Sequence, residues 1–331
     1  MLRPGVPAPS LAPRLGSEVV RERGGVQYRE LRTRSLIGRC DSERMPFDWT
    51  VNPYRGCAFG CRYCYAAYTH EFLGVAVPEA FHTSVYVKTG GLAETARRLA
   101  TVRRRGDAIA IGAATDPYQP GEGDYGVTRR FLELVAQQRG LRLSITTKGA
   151  LILRDLELLE RIQQRSSLQV HVSLISPHAE LLRKIEPLAP PPEVRLQVMR
   201  RLVDAGVDVS LTVAPVLPAL TDREADLELL FERARAAGVQ SASHALLFLR
   251  SPTREKYFRW LAADFPRYLE AYQNAYASRV YLRGGYARRI QALFERLRER
   301  HGMRKGWSDE ARPVRPRAPE QLSLWARGGT S

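Results

Sequence analysis

The chain has 331 residues, 44% hydrophobic and 26% charged, a balance that excludes a disordered polymer and suits one large folded unit with appended ends. Lysine and arginine number 51 against 35 aspartate and glutamate, and the formal net charge of +16 makes a polyanion such as DNA, RNA or an anionic membrane surface a candidate partner. An arginine- and alanine-rich composition also follows from a GC-biased genome, so charge alone leaves nucleic-acid contact open. No stretch approaches about 18 uninterrupted apolar residues, and the opening residues lack the apolar core of a secretory leader. A cytoplasmic protein without a membrane span is expected. Of the four cysteines, three fall between Cys57 and Cys64, a poor disulfide framework and a good ligand cluster in a reducing compartment; Cys40 is left over.

Residues 1–45 are rich in Pro, Gly and Arg, show no sustained period and read as an extended N-terminal arm. From residue 46 the texture changes. Short β-branched runs at 49–52, 108–112, 141–147, 168–174, 207–213 and 239–247 read as strands. Between them, 92–104, 128–138, 153–164, 193–205 and 222–237 read as helices, several followed by a glycine (Gly106, Gly140, Gly206, Gly238) where a helix C-terminus favours one. Regular strand–helix alternation implies parallel pairing, and near-continuous apolar strands imply a sheet covered on both faces. A full TIM barrel needs about eight such units. Six predict an α/β fold, a partial (β/α)6 TIM-like barrel over residues 46–252, with a doubly wound sheet as the alternative. Residues 253–307 read as a C-terminal helical extension with helices at 257–277 and 286–300, and 308–331 as a flexible tail.

In either architecture function belongs at the carboxyl ends of the strands, and the unusual residues fall there. The segment NPYRGCAFGCRYCY places Cys57, Cys61 and Cys64 in one loop after the first of these strands. Thiolates at this spacing can wrap one small metal cluster, and Gly56 and Gly60 let the backbone approach without Cβ clashes. Three thiolates leave one iron of a four-iron cluster open to an exchangeable ligand. Two alternatives remain: a Cys3His zinc site completed by His70, and buried thiols with no metal.

CxxxCxxC in such a loop, with the aromatic Tyr63 before the third cysteine, resembles the radical S-adenosylmethionine superfamily. The segments AIGAATDPYQP, SITTKG, HVSLIS and VAPVLPALTD extend the resemblance, over roughly residues 45–250, to the branch related to spore photoproduct lyase, often labelled DNA repair photolyase-like. The resemblance implies a [4Fe–4S] cluster held by Cys57, Cys61 and Cys64. It also implies reductive cleavage of S-adenosylmethionine to a 5′-deoxyadenosyl radical, and an external electron donor of the flavodoxin or ferredoxin type. It places Lys148 toward the S-adenosylmethionine carboxylate, Ser173 near its ribose or carboxylate, and Thr115 or Asp116 in the loop that meets its amino group. No catalytic side chain is named. One departure stands out: the related lyases carry a hydrogen-returning cysteine just before the Ser/Thr-Asp step, whereas this chain has Ala113 and Ala114. Cys40, or a tyrosine such as Tyr118, is left as a stand-in.

A nucleic-acid lesion or modified base is the substrate expected; a peptide or small metabolite with the same chemistry, or a non-catalytic metal-binding nucleic-acid-binding protein, are the alternatives. In the tail, Gln321, Leu322, Leu324 and Trp325 resemble the pentapeptide by which bacterial repair proteins dock on the sliding clamp, with two apolar anchors and a glutamine on a flexible tether.

Overall fold

The computed structural model describes residues 19–42, 45–73 and 80–306. The clamp-like pentapeptide at 321–325 lies outside the described residues. The strands are β1 (Val19–Arg23), β2 (Val26–Arg32), β3 (Ile37–Arg39), β4 (Trp49–Val51), β5 (Tyr54–Arg55), β6 (Ser84–Thr89), β7 (Ala108–Ile111), β8 (Arg142–Thr147), β9 (Ser167–Ser173), β10 (Asp208–Val216), β11 (Ser241–Leu246) and β12 (Arg304–Lys305). Eight form one sheet in the order β12-β11-β10-β9-β8-β7-β4-β3. All its pairings are parallel except β3 with β4. The six strands expected from the sequence are β4 and β7 to β11, in sequence order across the sheet, as a partial barrel requires. The helices Leu92–Arg105, Val127–Ala136, Leu156–Gln163, Pro192–Asp204 and Glu224–Ala236 stand where the amphipathic stretches were.

Within the span read as an extended arm, β1 and β2 join β6 and β5 in a second sheet of order β1-β2-β6-β5, and β3 edges the main one. The signal was short: Val26 and Tyr28 are buried while their neighbours are not, an alternation of only two steps. The helix expected over 257–277 is two, Thr253–Asp264 and Leu269–Tyr276, separated at Phe265 and Pro266. Proline has no N–H to donate and disfavours the helical conformation in the residue before it, and Phe265 lies outside the helical region, at φ −145° and ψ 55°.

Both faces of the sheet are buried, yet only one is apolar. Leu143, Ile145, Val170, Val172, Val209 and Leu211 share a core with the helices. Registry places Ser144, Gln169 and Asp208 in one row of the other face, Thr146, His171, Ser210 and Ser241 in the next, and Ser173, Thr212 and Ser243 in a row nearest the carboxyl ends. These rows are polar and their side chains partly bond one another, Gln169 to Asp208 at 3.0 Å and Thr212 with Ser243 at 3.1 Å, unlike the apolar layers of a packed barrel core.

Candidate functional site

The cysteine loop starts beyond the carboxyl end of β4 and hangs between the two sheets, because β5 pairs with β6. Its first glycine is obligatory. Gly56 has φ +88°, and a Cβ there would lie 2.8 Å from the Phe81 carbonyl oxygen and 2.9 Å from that of Ser84.

Four parts of the chain pin the loop. Thr115 donates its hydroxyl to the Gly56 carbonyl at 2.6 Å, and Gln119 donates its amide to the same oxygen at 3.1 Å while accepting the Ala58 N–H at 2.9 Å. The Cys57 N–H reaches the Phe81 carbonyl at 2.9 Å, and His82 Nδ1 lies 2.9 Å from the Cys57 carbonyl oxygen. Arg62 N–H bonds the Ile185 carbonyl at 2.9 Å, and Thr253 donates to the Cys64 carbonyl at 2.8 Å. A loop whose carbonyls and amides are satisfied this way holds its thiols in place without help from a ligand.

All three thiols are free. Burial raises each, pushing Cys61 to about 12, and the mutual proximity of Cys57, Cys61 and Cys64 adds to the rise at Cys57 and Cys61. Three thiols, those of Cys57 and Cys61 buried and that of Cys64 half-buried, that resist ionisation alone and stand close together are a donor set for a cation. Among the described residues no three His, Cys, Asp or Glu groups converge as a single-ion site requires, whereas a cubane, with each thiolate on its own iron, asks for wider spacing. His70 does not join them: its ring packs on Phe81 and Tyr86, and its Nε2 lies 3.0 Å from the Ser84 carbonyl oxygen.

Lys148 follows β8, with its ammonium 5.8 Å from the centre of the Tyr63 ring. Burial alone would lower its pKa; the Cys61 sulfur and the Glu186 carboxylate outweigh that and raise it, so the charge is retained beside the cysteines. Asp116 accepts from Thr147 Oγ1 at 2.6 Å, Tyr118 N–H at 2.9 Å and Lys148 N–H at 2.7 Å, and so fastens the end of β8 to the loop after β7. Ser173 lies in the row nearest the strand ends. Its hydroxyl is buried without a hydrogen-bond partner among the described residues, as is Nε2 of His171 one row below. Orphaned donors and acceptors of this kind, next to a charged lysine, fit a polar cofactor. Cys57, Cys61, Cys64, Thr115, Asp116, Lys148 and Ser173 thus surround one end of the sheet. The Tyr65 hydroxyl donates to the carbonyl of Ala113, in the loop that also carries Thr115 and Asp116.

Sequence reading missed a buried ion pair behind the loop. Glu186 accepts from the Tyr63 hydroxyl and, at 2.5 Å, from Arg195, whose guanidinium also reaches the Ser173 carbonyl at 2.9 Å and the Pro190 carbonyl at 2.7 Å. Burial works to raise the Glu186 carboxyl, but Arg195 and Lys148 hold it below the ordinary range. One signal was available: Arg195 shares the apolar stripe of its helix with Met199 and Leu202, an unusual place for a charge. Gln119, His82 and Thr253 had no local signal.

The Radical SAM superfamily model matches residues 51–231. An uncharacterised protein of Mycobacterium tuberculosis is 37% identical over 277 residues, covering 83% of this chain and 79% of that protein. An uncharacterised protein of Methanocaldococcus jannaschii is 28% identical over 176 residues, covering 53% of this chain and 63% of its own. Among solved structures, a spore photoproduct lyase complexed with dinucleoside spore photoproduct shares the fold with a TM-score of 0.64 at 15% identity, over 84% of this chain and 81% of that one. SuiB of Streptococcus suis, bound to S-adenosylmethionine, superposes with a TM-score of 0.51 at 11% identity, over 78% of this chain and 48% of its own. With a family model spanning more than half its length, and the free thiols of its cysteine loop within that span, the chain belongs to the radical S-adenosylmethionine superfamily, enzymes that use a [4Fe–4S] cluster to cleave S-adenosylmethionine.

Proposed function

We propose that Cys57, Cys61 and Cys64 hold the cluster and that the chain directs the resulting radical at a nucleic acid, at a lesion or a modified base. The three-thiol loop beside Lys148 carries this reading. Held by Cys57, Cys61 and Cys64, a [4Fe–4S] cluster would supply one-electron reductive chemistry to bound S-adenosylmethionine, with the electron drawn from a flavodoxin- or ferredoxin-type donor. The chain's own residues position and exclude. Lys148 offers a fixed positive charge to a carboxylate, and Ser173 offers a hydroxyl with no competing partner among the described residues. Thr115 and Asp116 hold the loops on either side, since their side-chain oxygens already bond within the chain. The formal charge of +16 favours a polyanion, and the shared fold with a lyase solved with a dinucleoside spore photoproduct supports a nucleotide-like substrate. With Ala113 and Ala114 in the region of the lyase-type cysteine, hydrogen return follows another route than a thiol there.

Anaerobically reconstituted protein with dithionite is expected to release 5′-deoxyadenosine, and Cys61→Ala to release none and to lose the iron–sulfur absorbance. Release by Cys61→Ala equal to the parent's would remove Cys61 from the ligand set. If neither DNA nor RNA binds at about 0.15 M salt, the substrate class passes to peptides or small metabolites.

A further inference from the structure

The arginine-rich last helix contributes less free positive charge than its composition implies. In the arginine-rich helix Gly285–Arg300, Arg289 pairs with Asp222 at 2.9 Å, Arg296 with Glu224 at 3.2 Å and Arg300 with Glu228 at 2.6 Å, so its field is largely cancelled. The segment just before it differs. Arg279 and Arg283 are exposed and have no carboxylate partner among the described residues, and with Arg254, Val280 and Tyr281 they line a cleft of about 680 Å³. Only Arg254 has an acidic neighbour, Glu255 at 3.4 Å.

The cleft also exposes one aromatic ring: Tyr281 is 40% exposed and its neighbour Val280 37%. Outside the lining, Tyr65, next to Cys64, is 44% exposed. Tyr281 is held rigidly, with its ring 4.6 Å from that of Phe248 and the Val280 carbonyl accepting the Leu249 N–H at 3.0 Å. Arg250 lies over the Tyr68 ring at 5.4 Å. This surface adjoins the cysteine loop, because Thr253, the neighbour of Arg254, donates to the Cys64 carbonyl at 2.8 Å.

Resting on the nucleic-acid reading above, we infer that the cleft between Arg254, Arg279, Tyr281 and Arg283 docks a nucleic-acid strand, with the arginines on its phosphates and Tyr281 stacked on a base, beside the cysteine loop. The guanidiniums of Arg279 and Arg283, without a carboxylate partner among the described residues, match phosphate geometry, and the exposed Tyr281 ring lining the same cleft gives a base a face to stack on at little entropic cost. An acidic peptide would satisfy the arginines and leave the ring without a planar partner.

The test uses cluster-loaded protein and fluorescein-labelled oligothymidylate and oligouridylate of about 12 nucleotides, within the site size of a strand-binding groove, titrated by anisotropy across a salt series. Changing Arg279→Ala and Arg283→Ala together is expected to weaken binding at least about tenfold and to reduce the salt slope by roughly 1.4, about 0.7 for each lost phosphate contact. Tyr281→Leu is expected to weaken binding at least about fivefold with the slope unchanged, since it removes stacking and no charge. Iron content and unfolding midpoint, measured on each variant, show that the fold is retained. Parent-like affinity and slope in the double variant overturn the cleft while the nucleic-acid reading stands. Parent protein that binds neither oligonucleotide overturns both. Equal displacement by polyglutamate at matched charge overturns a nucleic acid as the occupant.

Discussion

Arg195 and Glu186 are both almost wholly buried, with side chains 1% and 0% exposed. Such a pair adds little net stability over an apolar one, because desolvation of both charges offsets their attraction, but removing one partner strands the other. Arg195→Leu is therefore expected to destabilise the fold by about 3–5 kcal/mol in urea denaturation, and Glu186→Gln in the same chain to recover much of the loss. A single change costing under about 1 kcal/mol would show that water reaches the carboxylate. The consequence extends past stability. Glu186 holds Tyr63, which sits between two cysteines, and Arg195 holds the carbonyl of Ser173, so the pair positions the loop and the strand end together.

At the scale of elements, the approach of β7 to β8 depends on one glycine at the strand end. Gly112 has φ +87°, and a Cβ there would meet the Thr146 carbonyl oxygen at 2.6 Å and Pro117 Cδ at 2.7 Å. Gly112→Ala combines left-handed strain with overpacking against backbone, and is expected to cost about 2–4 kcal/mol. Gly140→Ala is the control. Its φ is +70°, but nothing lies within 4 Å, so only the conformational part, about 1 kcal/mol, should appear. Equal midpoint shifts for the two variants would mean that the strand end relaxes freely, and with it the Asp116–Lys148 contact it supports.

For the molecule as a whole, the polar inner face brings titration into the core. Burial depresses His171 from 6.5 to about 4, so it is neutral in the folded chain. Between those values the unfolded state binds the additional proton. The stability is therefore fully present above about pH 6.5 and is lost progressively as the pH falls toward 4. Between pH 7 and 5 the loss from His171 is about 2 kcal/mol, and His171→Gln should flatten the anaerobic denaturation profile by that amount. An unchanged slope would place the ring in contact with water. No helix among the described residues is long and apolar enough to cross a membrane.

Features written in short windows were legible from the sequence alone. Six strand positions, the five helices between them and the cysteine loop with its glycines all follow from period and spacing, because side-chain period and three thiols in one loop are local. The break at Pro266 was also written locally and was overridden in the reading by the surrounding helical period. What only the tertiary structure decided is long in range. The pairing of β2 with β6 spans over fifty residues, and Tyr63 meets Glu186 across 123. The neutralising of the last helix by Asp222, Glu224 and Glu228, which leaves Arg279 and Arg283 as exposed charge near the site, depends on which helix packs on which. A charged residue looks the same in sequence whether it is paired or free. Burial and partners, supplied by packing between distant segments, determine which of the two it is.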